Sequence, residues 1–434
     1  MKREVCTGCS LLCDDIIVRS DGLFIDEIYG ACLKGKEHFD QVISPNRIVK
    51  PMIRKEGKLI STSWDEALNK TIELIKESKD PIFYGFSTVT SEAQLKGLEL
   101  ARIASGYIDS NSSICHGQVL DVAKKTGISL TTLSEIINKA DLIILWGANA
   151  AESIPRLLGK TVFSRGKFRM TGREIKTLII IDPVKTASFN VMGVRDIALR
   201  IEPGKDFELI KMLKEECCTE NSIPEKGIAG IDKSDLKRLL VQLTNAEYGV
   251  IILGQGILQA NQKLNVIEEL LELVEMINNK QERGRISLMT MGGHSNMVGF
   301  DQMTLTFYGK RGGIKFENGN PIDSDDNIIS KITRDNFDLM FVVGSDPIAH
   351  FPKALSSKIA KKPLIVIDNK KSATTMVADV VLPSSVTGIE SGGLMFRLDM
   401  TPINVKPIIK PPSNVLSDQE ILEKLIEKFK GGGK

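Results

Sequence analysis

Short apolar runs alternate with helical patterns through most of this chain. The runs lie at residues 142–145, 178–181, 250–253, 340–343 and 364–367. Each run is apolar at every position, as in strands that are buried on both faces, and parallel sheets covered by helices contain such strands. Because the pattern occurs more than once, the sequence predicts an α/β fold with two doubly wound units.

The two ends of the chain have other patterns. Residues 16–18 and 23–25 are short apolar segments on either side of Asp21-Gly22, which predicts a hairpin within a small unit of residues 1–50. Residues 418–430 carry apolar side chains at helical spacing, which predicts an amphipathic helix near the end of the chain.

Turn and polar residues collect directly after the predicted strands, as in Gly147-Ala148-Asn149 and Gly254-Gln255-Gly256. In open α/β sheets, ligands bind beyond the carboxyl ends of the strands, so this is where a site is expected. No G-x-G-x-x-G follows any of these strands, which argues against a nicotinamide enzyme. Each residue alone is equally well a turn residue, because Asn and Asp favour turns.

The composition narrows the class of protein. The 434 residues suffice for two to four domains, and 42% hydrophobic with 26% charged residues is typical of globular proteins. A net charge of +2 favours neither nucleic acid nor an anionic membrane. The first residues are polar, unlike a signal peptide, and no apolar run approaches the roughly 20 residues of a membrane span. We therefore expect a cytoplasmic protein without a membrane span.

Four cysteines near the N-terminus form the clearest chemical motif. Cys6, Cys9 and Cys13 have the spacing C-x2-C-x3-C, and Cys32 follows after eighteen further residues. Four converging thiolates bind zinc or an iron–sulfur cluster, and a disulfide framework is disfavoured because nothing else suggests secretion. The spacing favours iron–sulfur over zinc, because all-cysteine zinc sites usually consist of two C-x2-C pairs.

The cysteine spacing, the run Cys32-Leu33-Lys34-Gly35 and the strand-end turns together resemble the molybdopterin oxidoreductases of the dimethyl sulfoxide reductase family. Three stretches narrow the resemblance to the B subunits of formylmethanofuran dehydrogenases. Residues 108–117 (IDSNSSICHG) are similar to a metal-ligand loop, residues 378–399 to a C-terminal motif, and residues 203–206 (PGKD) to a turn that contacts a guanine group. The resemblance extends from Cys6 to the last helix.

The resemblance implies a small N-terminal iron–sulfur domain and two interleaved doubly wound α/β domains. The expected boundaries are 1–50 for the iron–sulfur domain, 51–118 and 290–434 for one α/β domain, and 119–289 for the other. The implied cofactors are a [4Fe–4S] cluster and tungsten or molybdenum held by two molybdopterin guanine dinucleotides. The β-barrel domain of larger relatives is expected on a separate partner subunit, beside a ferredoxin-like electron-transfer subunit.

The resemblance also assigns roles to single residues. Cys115 would be the protein ligand of the metal, although a lone cysteine is more often buried and inert. His116 would handle a proton, and His294 would donate a hydrogen bond. Lys34 would lie between the cluster and a pterin. The cofactor would be held at strand ends and turns by Asn149, Asp182, Asp206, Gln255, Asp346 and Asp368.

The implied reaction is reversible two-electron reduction of CO2 to formate. An anionic product calls for a positive group near the metal, and the family supplies an arginine in an R-G-H turn. Here the turn is Met291-Gly292-Gly293-His294, with Gly292 at the arginine position. Two alternatives follow: a related enzyme for another small substrate, or a cluster-bearing electron-transfer or scaffold subunit. A zinc-stabilised α/β binding protein is a further alternative.

Overall fold

The structure, a computed structural model, describes residues 1–167, 172–219, 223–259, 263–324 and 326–431. The chain divides into two compact units. The first comprises Met1–Ile114 together with His294–Lys434, and the second comprises Cys115–Gly293. The second unit is therefore one continuous segment inserted into the first.

The strands are numbered in chain order. They are β1 Lys2–Cys6, β2 Cys13–Ser20, β3 Ile25–Tyr29, β4 Met52–Lys55, β5 Lys58–Ser61, β6 Pro81–Gly85, β7 Tyr107–Ser110, β8 Leu142–Trp146, β9 Thr177–Ile181, β10 Ile197–Leu199, β11 Gly249–Leu253, β12 Ile286–Thr290, β13 Ile314–Glu317, β14 Asn320–Ile322, β15 Leu339–Val343, β16 Leu364–Asp368, β17 Val380–Pro383, β18 Gly393–Phe396 and β19 Pro402–Val405.

The α-helices are numbered in the same way. They are α1 Leu33–Asp40, α2 Trp64–Glu77, α3 Ser91–Ile103, α4 Gly117–Thr126, α5 Leu133–Lys139, α6 Ala150–Ser153, α7 Leu157–Thr161, α8 Asp206–Thr219, α9 Lys233–Asn245, α10 Lys263–Lys280, α11 Met297–Tyr308, α12 Ile328–Thr333, α13 Pro347–His350, α14 Lys353–Ile359, α15 Ala373–Val377 and α16 Asp418–Gly431. The predicted C-terminal helix is confirmed as α16.

The first unit is built on a nine-stranded sheet with the order β14-β13-β7-β6-β15-β16-β17-β4-β5. Strands β7, β6, β15, β16 and β17 are parallel. Alternate residues along these strands enter different cores, because Phe83 and Phe341 pack on one face while Ile82 and Met340 pack on the other. Burial on both faces explains why the strands read as continuous apolar runs.

Two small sheets complete the first unit. Strands β1, β2 and β3 form an antiparallel sheet, so the predicted hairpin is confirmed as β2 and β3. Strands β18 and β19 form an antiparallel pair. Leu12 in the loop between β1 and β2 packs on Met395 and Val405 of this pair.

The second unit is a five-stranded parallel sheet with the order β10-β9-β8-β11-β12. The chain runs from β8 outward to β10 and then returns to place β11 on the other side of β8. The sheet is therefore doubly wound, with its switch point between β8 and β11. Helices α4, α8, α9 and α10 contribute to the core on one face of the sheet.

In the described part of the chain, no helix is both long enough and apolar enough to cross a membrane.

Candidate active site

Hairpin pairing and a helix start bring the four N-terminal cysteines together. Cys6 ends β1 and is the register partner of Cys13 at the start of β2, with Cys9 in the loop between them. Cys32 is the N-cap residue of α1. The positive end of a helix dipole favours negative charge at this position, which suits a thiolate.

Two glycines allow the cysteine loop to pack directly on α1. A Cβ atom at Gly35 would lie 3.1 Å from Cys6 Sγ and 3.8 Å from Cys32 Sγ, so both sulfur atoms lie beside this glycine. A Cβ atom at Gly8 would lie 3.2 Å from the carbonyl oxygen of Lys34. Lys34, predicted to lie near the cluster, is therefore in the helical turn against which the loop packs.

The negative charges of the four cysteines affect one another, as expected for side chains that share a site. Burial raises the pKa of the Cys6 thiol to about 12, and negative charge at Cys13, Cys9 and Cys32 adds to the rise. Among the described residues, no three His, Cys, Asp or Glu side chains are spaced to hold a single metal ion. Four thiolates of this kind can bind either a single zinc ion or an iron–sulfur cluster.

The cysteine loop is also fastened to the turn after β17. The hydroxyl of Thr7 donates to the carbonyl oxygen of Thr387 at 2.8 Å. Nε2 of His38 lies 2.8 Å from the same hydroxyl oxygen, and burial lowers the pKa of His38 to about 4. A neutral imidazole in this place acts as a structural partner of Thr7.

In the first unit, β6 and β15 form the switch point of the parallel sheet. The backbone N–H of Phe86 donates to the carbonyl oxygen of Val343 at 2.9 Å, and the Thr88 hydroxyl donates to Gly344 at 3.0 Å. Gly85 has φ +110°, and a Cβ atom there would lie 2.2 Å from the Val343 carbonyl oxygen. The two strand ends are thus in close backbone contact beside the expected ligand crevice.

At this edge Asp346 follows β15 and Asp368 is the last residue of β16, so both lie at strand ends, as predicted. Asp346 caps α13 and accepts hydrogen bonds from Ala373 N at 3.2 Å and Thr374 Oγ1 at 2.5 Å. Its carboxylate therefore holds α13 to α15. Asp368 accepts from Asn369 N at 2.7 Å, and burial raises its pKa to about 6.

The candidate metal ligand follows directly after a buried turn. Strand β7 continues into a 3-10 turn at Asn111–Ile114, and Cys115 comes next as the first residue of the second unit. Cys115 is half-buried and His116 is buried, and α4 begins at Gly117. His294 is the first residue of the chain's return to the first unit.

In the second unit, glycines make the backbone contact at the switch point. Gly147 has φ +57°, and its carbonyl oxygen accepts from Gly256 N at 2.9 Å. A Cβ atom at Gly254 would lie 2.1 Å from the same oxygen. Asn149 and Gln255 follow these glycines at the ends of β8 and β11, so the structure places them at adjacent strand ends.

Asp182 and Asp206 form the second group at this edge. Asp182 follows β9, and Asp206 begins α8 and accepts from the indole N–H of Trp146 at 2.8 Å. Burial raises the pKa of Asp206, and the charge of nearby Asp182 adds to the rise. Four of the six residues predicted to hold the cofactor at strand ends and turns, Asn149, Asp182, Asp206 and Gln255, thus lie at the carboxyl edge of one sheet.

Gly292 follows β12 at the same edge and is buried. It is not among the described glycines with a left-handed φ. Its backbone therefore does not require glycine on conformational grounds. The nearby Arg285 precedes β12 and donates to the Ser129 hydroxyl at 2.8 Å.

Buried charged residues that the sequence did not single out include Asp301, Arg311 and Asp418. Asp301 and Arg311 form an ion pair, and Asp418 lies buried at the start of α16. The sequence does contain an indication for Asp301, because a lone carboxylate in the apolar stretch of α11 is typical of a buried, paired group. The other two had no comparable signal.

Comparison with known proteins decides the family. A family model described as molybdopterin oxidoreductase matches residues 47–428. The chain belongs to the molybdopterin oxidoreductase family. This chain is 32% identical to the B subunit of the tungsten-containing formylmethanofuran dehydrogenase 2 of Methanocaldococcus jannaschii, across 99% of this chain and 98% of that one. The resemblance seen in the sequence is confirmed, and this molybdopterin oxidoreductase is an enzyme.

Solved structures show the same fold at low identity. Acetylene hydratase from Pelobacter acetylenicus matches with a TM-score of 0.71 and 12% identity, over 99% of this chain and 69% of that one. A chain of the formyltransferase/hydrolase complex FhcABCD from Methylorubrum extorquens matches with a TM-score of 0.68 and 18% identity, over 88% of this chain and 99% of that one. The α/β fold predicted for this molybdopterin oxidoreductase is therefore confirmed in its general type.

Proposed function

We propose that this molybdopterin oxidoreductase is the catalytic subunit of a formylmethanofuran dehydrogenase-like complex that interconverts CO2 and formate. The observation that carries the proposal is the near full-length similarity to the B subunit of a formylmethanofuran dehydrogenase. The placement of Cys115-His116 directly after a buried turn supports it, because a metal ligand needs a fixed position.

The residues present fit the proposed cofactors. Four cysteines whose negative charges affect one another suit a [4Fe–4S] cluster in a domain of residues 1–50. Each unit has one sheet whose central strands are parallel, with one switch point, which matches two molybdopterin guanine dinucleotides in number. When bound, the tungsten or molybdenum centre supplies two-electron redox chemistry.

The chain's own residues orient the reactants and move the proton. The Cys115 thiolate is a soft ligand that suits a sulfur-rich metal site. The imidazole of His116 gives a proton to, or takes one from, the substrate carboxylate, and His294 donates a hydrogen bond to it. Lys34 places positive charge beside the reduced cluster.

Polar groups at the strand ends hold the rest of the cofactor. In the second unit, Asn149, Asp182, Asp206 and Gln255 present amides and carboxylates to the donor edge of guanine or pterin. In the first unit, Asp368 does so directly, while Asp346 acts by fixing α13 to α15. The α/β domains proposed for these parts are 51–118 with 290–434, and 119–289.

The proposed setting is a cytoplasmic complex with two further kinds of subunit. One carries the molybdopterin dinucleotide-binding barrel, and the other is a ferredoxin-like electron carrier. All seven cysteines lie among the described residues, and none of them forms a disulfide.

Gly292 supports a second candidate function. Without an arginine at this position, the site has less charge for a carboxylate and suits a related oxidoreductase with another small substrate. A cluster-bearing electron-transfer or scaffold subunit is the remaining alternative, and the Cys115-His116 pair argues against it.

Metal analysis of the purified complex, with a formate oxidation assay, tests these functions. We expect tungsten or molybdenum together with about four irons per chain, and formate-dependent reduction of an artificial acceptor. Iron alone would favour the scaffold function, and zinc alone would overturn the proposal. Full metal loading without formate turnover would favour the second candidate.

A further inference from the structure

A buried network fastens the turn that leads to Cys115. The hydroxyl of Ser112 donates to Asp301 Oδ2 at 2.5 Å, and Arg311 Nη1 donates to Ser112 Oγ at 3.1 Å. Arg311 Nη1 also lies 3.4 Å from Asp301 Oδ1. The side chains of Arg311 and Asp301 are only 6% and 1% exposed. Ser112 is thus held between two opposite charges, three residues before Cys115.

A second clamp acts on the same turn. Asp109 Oδ1 accepts from the Ser113 hydroxyl and from Gly313 N, the latter at 3.1 Å. Gly312 lies between the two clamps with φ +61°, and a Cβ atom there would lie 3.0 Å from Ser113 Oγ. The segment 311–313 therefore runs along the turn and holds it at two successive residues.

The network also reaches the segment that carries His294. Asp301 lies on α11, which begins directly after His294-Ser295-Asn296. Asn296 is fixed in turn, because its Nδ2 donates to Val89 O at 2.8 Å and its Oδ1 accepts from Phe396 N at 2.7 Å. One helix thus connects the anchored neighbour of His294 to the anchored turn before Cys115.

A role in positioning the turn before Cys115 explains the Arg311–Asp301 ion pair better than a role in stabilising the fold. A buried ion pair stabilises a fold little more than apolar side chains of similar volume. A planar guanidinium, however, fixes its partners in one geometry. We propose that Arg311 and Asp301 are positioning residues: they hold the Ser112 turn against α11 and so fix the backbone that leads into Cys115 and His116. The inference rests on the proposed function, because it takes Cys115 as the metal ligand.

Alkylation of Cys115 in the metal-free full chain tests the positioning without any cofactor. Arg311→Met removes the charged donor, whereas Ser112→Ala removes only the hydroxyl and leaves the ion pair. We expect the peptide containing Cys115 to react with iodoacetamide about tenfold faster in both variants, because charged hydrogen bonds no longer hold the turn closed. Mass spectrometry distinguishes this peptide from those of the other cysteines.

Arg47→Met is the matched control. Arg47 forms an ion pair with Glu390, and the two side chains are only 6% and 2% exposed. The variant removes an equally buried arginine from a different ion pair, and Cys115 should react at the wild-type rate. Unchanged reactivity in Arg311→Met and Ser112→Ala, or equal acceleration in the control, would overturn the inference.

The metal-loaded complex gives the second readout. Arg311→Met should lower the ratio of tungsten or molybdenum to iron by about tenfold, as for other residues that orient metal ligands, while iron content stays at the wild-type level. If the wild-type complex contains neither metal, the proposed function fails while the alkylation rates still decide the positioning. If the metal is present but both variants match wild type, the inference fails and the proposed function stands.

Discussion

The backbone of Gly254 lies so close to Gly147 that a methyl group on Gly254 would come within 2.1 Å of the Gly147 carbonyl oxygen. We expect Gly254→Ala to lower the free energy of unfolding by about 1–3 kcal/mol, because the two strand ends must separate. Thermal unfolding of the purified chain measures this loss.

Gly159→Ala provides the control. Gly159 lies within α7, and a Cβ atom there meets no atom within 4 Å. Alanine should therefore be neutral or stabilise the helix by up to about 1 kcal/mol. Equal stability of Gly254→Ala and wild type would mean that the two strand ends can separate at little cost.

Loss of one N-terminal thiolate should remove the cluster. We expect Cys9→Ser to lose most of its iron and the resonance of the reduced cluster, because serine is a poor replacement for a buried thiolate ligand. Cys218→Ser changes an exposed cysteine on α8 and should keep full iron content. Iron analysis and electron paramagnetic resonance measure both. A Cys9→Ser protein with wild-type iron would contradict the cluster assignment.

Charge at residue 292 should control formate turnover. A missing charge-assisted hydrogen bond to a carboxylate corresponds to about 1.5–3 kcal/mol, or roughly one to two orders of magnitude in rate. Gly292→Arg should therefore raise kcat/KM for formate, and Cys115→Ala should abolish turnover.

Gly293→Arg adds the same charge one residue later, where a side chain has open space, and should give no comparable gain. An equal gain in both variants would show a general electrostatic effect instead of a specific contact. Wild-type turnover in Cys115→Ala would rule out the metal-ligand role.

Asp418 should make stability fall with rising pH. Burial raises its pKa from 3.8 to about 7, and the charge of Asp368 adds to the rise. The folded state holds this proton more tightly than the unfolded state, so the stabilisation is complete below pH 4 and is lost as pH rises through 7. Between about pH 5 and pH 8, wild type should lose about 2–4 kcal/mol more unfolding free energy than Asp418→Asn.

Asp21→Asn is the control for this pH dependence. Backbone N–H groups of Phe24 and Leu23 lower the pKa of Asp21, so its contribution changes only in more acidic solution. Denaturant titrations at several pH values measure all three proteins. Identical pH profiles for wild type and Asp418→Asn would show that the Asp418 carboxyl does not titrate in this range.

The sequence was most informative where one local pattern determines the structure. The runs at 142–145 and 340–343 became parallel strands β8 and β15, because unbroken apolar residues require burial on both faces. The turn at Gly254-Gln255-Gly256 was also predicted from its position after a strand. The resemblance in the Cys115 loop led to the family.

Tertiary contacts between distant residues were not predictable in this way. Ser112 forms hydrogen bonds with Asp301 and Arg311, which lie about 200 residues later in the sequence. No local sequence pattern predicts such contacts. For Asp346, the position at a strand end was predicted correctly. Its contacts with Ala373 and Thr374 depend on how α13 and α15 pack, which propensity does not determine.

The insertion of the second unit has a consequence for synthesis on the ribosome. Strand β6 pairs with β15 through Pro81 and Leu339, so the sheet of the first unit cannot close until the whole inserted segment has been translated. At a synthesis rate of about 5–20 residues per second, roughly ten to fifty seconds pass between the synthesis of β6 and that of β15. The second unit is contiguous and can fold during that interval. Nascent chains stalled once residue 293 has emerged from the ribosome should therefore resist protease in the second unit while β6 and β7 remain cleavable.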